Sequence, residues 1–78
     1  MKNYGERFWL KALRENLGLT QGETAKCLNI SVSHYQRIEY GRRDPSPAIA
    51  KKLAVLFGFP MERLYEPMQA SSAATRFI

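Results

Sequence analysis

Thr20-Gln21-Gly22-Glu23-Thr24-Ala25-Lys26-Cys27-Leu28-Asn29-Ile30-Ser31-Val32-Ser33-His34-Tyr35-Gln36-Arg37-Ile38-Glu39-Tyr40-Gly41 is the stretch on which the fold turns. It opens with Thr20 three residues before Glu23, the spacing of a capping box. The threonine hydroxyl accepts the backbone N–H of residue 23, and the glutamate reaches back to the N–H of the cap. A helix therefore starts at residue 21 and runs to about Leu28. Asn29 tolerates the left-handed backbone that ends a helix, so 29–31 reads as a tight turn. Ser31 caps a further helix, which Gly41 ends. Two short helices meet across a turn too short for an antiparallel hairpin.

The same punctuation divides the rest. Asn3 and Glu6 have capping-box spacing and Gly18 is a stop, which places a first helix near 4–17. Arg42-Arg43-Asp44-Pro45 reads as a loop. Ser46-Pro47 is a cap followed by proline at the first helical position, so a fourth helix runs to Phe57 and stops at Gly58. Pro60 opens a short fifth helix over roughly 60–65. The small, weakly patterned residues of 67–78 read as a flexible C-terminal tail behind a domain of 1–66. No strand-like alternation persists and no internal repeat occurs. The class is all-α, a compact five-helix bundle.

Apolar spacing supplies the expected core faces. These are Leu10, Leu13 and Leu17 in the first helix, then Ala25 and Leu28 in the second. Tyr35 and Ile38 follow in the third, and Ile49, Leu53, Leu56 and Phe57 in the fourth. Helices this short cannot hide such stripes alone and must pack on one another.

Composition narrows the function classes. Hydrophobic residues make up 45% of the 78, enough for one core but not two. The net charge of +5, from 12 Lys and Arg against 7 Asp and Glu, attracts polyanions, either nucleic acid or an anionic membrane surface. Cys27 is the only cysteine, so no internal disulfide forms, and with His34 as its only nitrogen-ligand companion it builds no metal site. No glycine-rich phosphate loop, paired-carboxylate site or oriented nucleophile is present, which argues against an enzyme. No apolar run reaches the ~20 residues of a membrane span, and Met1 to Arg7 lacks a signal-peptide core. The expectation is a cytoplasmic, nucleoid-associated protein without cofactor, small-molecule ligand or membrane contact.

With Tyr35 and Ile38 turned inward at about 100° per residue, Ser33, Arg37 and Tyr40 fall near the opposite side, flanked by His34 and Gln36. A polar helix face of this kind suits the DNA major groove, ~12 Å wide, which admits one α-helix.

Leu13-Arg14-Glu15, Leu19-Thr20-Gln21-Gly22-Glu23-Thr24-Ala25, Ile30-Ser31 and Arg37-Ile38-Glu39-Tyr40-Gly41 together closely resemble the phage repressor and Cro-type helix-turn-helix family, the XRE family. The resemblance spans about residues 8 to 65 and implies a lambda-repressor-like bundle with the helix-turn-helix in helices 2 and 3. It implies a sequence-specific transcriptional regulator, expected to be a repressor, whose recognition helix of about 32–40 enters the major groove of double-stranded DNA. Val32, Ser33, Arg37 and His34 then stand at base-reading positions. Gln21, Gln36, Tyr40, Arg42 and Arg43 stand where the backbone phosphates pass. Arg14 and Glu39 match a structural brace between the first and third helices. Three residues depart from the usual pattern: Thr24 replaces a leucine, Asn29 a glycine, and Tyr35 an isoleucine or valine.

One such module covers little DNA, so a homodimer on a palindromic operator is expected. Phe57, Phe59, Met61, Leu64 and Tyr65, or the tail, are candidates for the dimer contact, although such a cluster also suits plain core. An alternative on the same fold is a protein-interaction module, such as an antitoxin or adaptor.

Overall fold

A computed structural model describes residues 6–66. The element order is α1 (Phe8–Asn16), α2 (Gln21–Leu28), α3 (Val32–Glu39), α4 (Pro47–Phe57) and a 3-10 helix (Met61–Tyr65), with no strand among the described residues. The bundle thus has four α-helices, and the fifth helix expected near 60–65 is a single tight 3-10 segment. Five residues hemmed in by Pro60 and the extended Glu66 leave no length for a regular α-helix. The tail expected over 67–78 and the Asn3 cap lie outside the described residues.

Capping residues decide where α2, α3 and α4 begin. Glu23 N–H donates to Thr20 Oγ1 at 3.0 Å and Thr20 N–H to Glu23 Oε1 at 2.9 Å, completing the capping box. Ser31 Oγ accepts from His34 N–H, and Ser46 Oγ from Ile49 N–H with Pro47 in the first turn. The ends are equally regular. Gly18, Asn29, Gly41 and Gly58 all carry positive φ. In each case the next residue's N–H folds back to a carbonyl five positions earlier, as from Arg42 to Arg37 at 2.8 Å. Asn29 is the one residue other than glycine in this conformation among the described residues; its short polar side chain makes that affordable.

The core gathers Leu10, Ala25, Leu28, Tyr35, Ile38, Ala50, Leu53, Phe57, Phe59 and Leu64. Four expected stripe members lie outside it, of which Leu13 and Ile49 are partly buried and pack against it. Leu17 is 53% exposed because it follows the last turn of α1, where the chain reverses through Gly18. Leu56 is exposed beside Val55, whereas Ala50, one turn before Leu53 on the same face, is fully buried. Trp9 stacks edge-on against Phe59 with ring centroids 4.9 Å apart, and the Arg63 guanidinium lies 4.2 Å from the Trp9 ring centre. Phe57, Phe59 and Leu64, candidates for a dimer contact, are therefore core; Tyr65 is part-exposed and donates its hydroxyl to the Pro45 carbonyl at 2.9 Å.

The first helix starts at Phe8, four residues later than expected, because Arg7 is diverted to another task. Its backbone N–H donates to the Glu39 carbonyl at 2.9 Å, and its guanidinium donates to the Ile38 carbonyl. The same guanidinium reaches Asp44 Oδ1 at 2.7 Å and the Leu64 carbonyl at 2.8 Å. One buried arginine thus ties the start of α1 to the end of α3, the following loop and the 3-10 helix. A cation against the last carbonyls of α3 also opposes that helix's dipole favourably.

Replacing Arg7 by Met keeps the aliphatic stem but removes the charged donor from the Ile38 and Leu64 carbonyls, leaving Ile38 with the 3.2 Å bond from the Gly41 N–H. Urea denaturation should show a loss of at least about 2 kcal/mol, since bonds to charged groups contribute ~1.5–3 kcal/mol each. Arg43→Met, at an exposed neighbour, should stay within about 0.5 kcal/mol.

Candidate nucleic-acid interface

The exposed face of α3 follows from what the helix hides. Tyr35, Ile38 and Glu39 are buried, so Val32, Ser33, Arg37 and Tyr40 point outward and are exposed. His34 and Gln36 are half-buried on the two flanks. Arg42 and Arg43 follow in an exposed loop just beyond the C-terminal end of α3. Arg37, Arg42 and Arg43 form no ion pair among the described residues. The nearby Asp44 carboxylate pairs with Arg7.

Beneath this face lies a polar network centred on Glu39. Its carboxylate is 2% exposed, and burying a charge is costly unless donors surround it. Arg14 donates from Nε to Oε2 at 2.7 Å and from Nη2 to Oε1 at 3.2 Å, a two-point grip. The remaining Arg14 nitrogen, Nη1, donates to the Leu19 carbonyl at 2.7 Å. Tyr35 O–H donates to Oε2 at 2.7 Å and Gln21 Nε2 to Oε1 at 2.9 Å. Gln36 Nε2 in turn donates to Gln21 Oε1 at 3.0 Å. The structure therefore joins Arg14, Gln21, Gln36 and Glu39 in one network, while Val32, Ser33, His34 and Arg37 stand apart from it on the helix surface.

Ionisation follows the same contacts. Burial by itself pushes the Glu39 pKa up, but hydrogen bonds from Arg14, Tyr35 and Gln21 outweigh it and hold the carboxyl below the usual glutamate range. The hydrogen bond to Glu39 raises the Arg14 pKa. Burial, with the Glu39 bond, pushes the Tyr35 phenol far up, so it stays a neutral donor.

Two participants were not found by sequence reasoning. Tyr35 stands out in sequence only as a bulky departure, yet it sits four residues before Glu39, the spacing that stacks side chains on one helix face; that spacing was the available signal. Lys11 lies with Phe8, Arg14, Gln21, Glu39 and Tyr40 around an open cleft of about 200 Å³. Nothing in the local sequence marks it, since the cleft forms only when α1 packs against the other two helices. Thr24, the polar replacement in α2, is fully buried and donates its hydroxyl to the Thr20 carbonyl at 3.0 Å.

The profile of the helix-turn-helix family matches residues 10–64, most of the described chain. An uncharacterized HTH-type transcriptional regulator, YqaF of Bacillus subtilis (strain 168), is 40% identical over 60 residues, covering 77% of this chain and 79% of YqaF. The HTH-type transcriptional repressor RghR of the same organism is 42% identical over 65 residues; these cover 82% of this chain and 47% of RghR, so the chain spans about half of that repressor. No solved structure matches the chain significantly.

Removing either charge of the Arg14–Glu39 pair alone strands the other; Glu39→Ala should cost about 3–5 kcal/mol. The pH dependence has a definite sign. A carboxyl with a lowered folded pKa stabilises fully above its ordinary value of about 4.3, and that contribution disappears as pH falls through the lower folded value. Thermal melts from pH 7 down to pH 2 should show an acid-side loss that is smaller in Glu39→Gln than in the parent protein.

Proposed function

The chain belongs to the XRE-type helix-turn-helix family, and on that premise we propose that it is a sequence-specific transcriptional regulator, acting as a repressor. It binds double-stranded DNA as a homodimer on a palindromic operator, with α3 in the major groove. The observation that carries this reading is the exposed row Val32, Ser33 and Arg37 on a helix whose opposite side is locked into the core by Tyr35, Ile38 and Glu39. A side chain reads a base edge well only if its helix cannot roll, and α3 is pinned from two arginines on and beside α1.

In this reading each group has a task. The Arg37 guanidinium offers two parallel donors to guanine O6 and N7, Val32 meets a thymine methyl, and Ser33 and His34 donate to or accept from neighbouring base edges. Arg42, Arg43, Tyr40 and Gln21 engage the flanking phosphates, with Lys11 as an added cation beside Gln21. Two copies are needed because a single module buries too little DNA for strong discrimination. The relatives' names, one of them a repressor, support the regulatory role.

The test is binding to duplexes selected from a random pool, followed by fluorescence anisotropy across salt concentrations. The logarithm of affinity should fall linearly with the logarithm of salt as counterions are released. Arg37→Ala should lose about 1–3 kcal/mol of discrimination at one base pair, while Lys11→Ala weakens all duplexes alike and reduces the salt slope by about one. Absence of any salt-sensitive duplex binding by the pure protein would overturn the regulator reading.

A further inference from the structure

The side of the molecule formed by α2 and α4 takes no part in the proposed DNA contacts. Between the end of α2 and the middle of α4 lies an open groove of about 400 Å³, lined by Cys27, Leu28, Lys51, Lys52, Val55 and Leu56. Leu28 is its buried floor, while Cys27, Val55 and Leu56 stand exposed around it, Val55 at 79%. Spacing explains why α4 presents this side. Leu53 and Phe57 turn into the core, so Lys51 with Val55 and Lys52 with Leu56, each four residues apart, form two rows outside it. Each row sets a cation one turn before an aliphatic side chain. Contiguous apolar surface with a charged rim marks an interaction site, which scattered exposed side chains do not.

The charge of the rim selects the occupant. The stretch from Pro45 to Met61 has no carboxylate, and Lys51 and Lys52 form no ion pair among the described residues. Lys26 is exposed beside Cys27 on the opposite wall, and Glu23, a turn earlier, is held at the Thr20 N–H by the capping box. A second copy docked groove to groove about a twofold axis would set these lysines against their own equivalents. A small molecule would stay largely in water, since walls this open do not enclose it. A bilayer takes up apolar side chains that protrude, whereas this floor is recessed between two helices. An acidic amphipathic helix satisfies both features. Its apolar residues, three and four apart, fill the groove, and its flanking carboxylates meet the lysines.

We propose that the α2–α4 groove docks an acidic amphipathic helix of a partner protein. Leu28, Val55 and Leu56 take its apolar stripe, and Lys51 and Lys52 take its carboxylates. The groove shares no residue with the exposed face of α3, so this site stands apart from the regulator reading and leaves α3 free.

Cys27 supplies the reporter, being the only cysteine of the chain and exposed on the groove wall. Three peptides of about 15 residues, long enough for a helix, are compared. The first carries leucine three and four residues apart with glutamate elsewhere; the second has lysine for the glutamates, and the third alanine for the leucines. Binding to the full chain is read by anisotropy of the labelled peptide and by the rate at which Cys27 reacts with a maleimide. The leucine–glutamate peptide should bind, and at about ten times its Kd it should slow that reaction about tenfold. Lys51→Glu/Lys52→Glu and Val55→Ser/Leu56→Ser should each weaken it at least about 10-fold, whereas Arg42→Ala/Arg43→Ala should change it less than about 2-fold. All six positions are exposed, and thermal melts confirm that each variant is folded.

Equal binding of the lysine or the alanine peptide overturns the proposal, as does failure of the leucine–glutamate peptide to bind below about 1 mM. Equal loss in Arg42→Ala/Arg43→Ala overturns it too, since that marks general attraction to a basic surface. A sedimenting dimer that Val55→Ser/Leu56→Ser dissociates assigns the groove to a second copy. Retention on phosphatidylserine vesicles that the same variant loses assigns it to a membrane, and either result overturns the proposal. A parent protein that binds the peptide through these residues but binds no duplex supports this proposal and overturns the regulator reading alone.

Discussion

A single ionised carboxylate, Glu39, organises the molecule, because a charge that is almost fully removed from water must be surrounded by donors. Those donors come from three places: Arg14 on α1, Gln21 at the first turn of α2, and Tyr35 one turn earlier on α3. Satisfying the charge therefore requires the three helices to meet in one arrangement. An apolar residue at the same position could pack as well or better, since a buried ion pair often adds little net stability over well-packed hydrophobes. What the pair supplies is geometry. Apolar contacts tolerate sliding and rolling of short helices, whereas a two-point guanidinium–carboxylate contact at 2.7 and 3.2 Å does not.

Arg7 performs a parallel task on the backbone. It captures the Ile38 carbonyl and the Leu64 carbonyl, and its own N–H reaches the Glu39 carbonyl. Both arginines thus hold α3 by its C-terminal half, one through the main chain and one through a side chain. In the N-terminal half of α3, Tyr35 is fully buried, whereas Val32 and Ser33 stand exposed just after the Ser31 cap. The helix is therefore gripped most firmly towards its C-terminal end, and its first turn is presented to solvent.

Much of this architecture was legible in the sequence, and the reasons it was or was not are local. Thr20 with Glu23, Ser31, and Ser46 with Pro47 mark helix starts because a cap is made by residues two or three apart, all visible in one short window. The stops at Gly18, Asn29, Gly41 and Gly58 are legible for the same reason. The core stripe was less so. Periodicity gives the direction of an apolar face but not its edges, and whether Leu56 or Ala50 is covered depends on how closely α4 approaches its neighbours. The small Ala50 is buried where helices come close. Arg7 was hidden because its partners lie 31 to 57 residues away and three of them, on Ile38, Arg43 and Leu64, are main-chain carbonyls, which carry no side-chain signature. The start of α1 was misplaced for the same reason.

The placement of acidic groups sharpens the electrostatic reading beyond net charge. Seven carboxylates could have neutralised the cations of the exposed face. Three of the nearest are engaged elsewhere: Glu39 is enclosed by Arg14, Asp44 pairs with Arg7, and Glu23 closes the capping box of α2. The arginines that meet these acids are themselves largely buried, whereas Arg37, Arg42 and Arg43 are left exposed along one side. The fold therefore sorts its charges. The Arg14–Glu39 pair that positions α3 lies inward and cancels, and Arg37, Arg42 and Arg43 remain outside, where the local field is more positive than +5 spread over a whole surface would make it. In the proposed reading a polyanion meets that field before any side chain reaches a base, so the interactions that hold α3 in place also leave its surroundings free to attract such a partner.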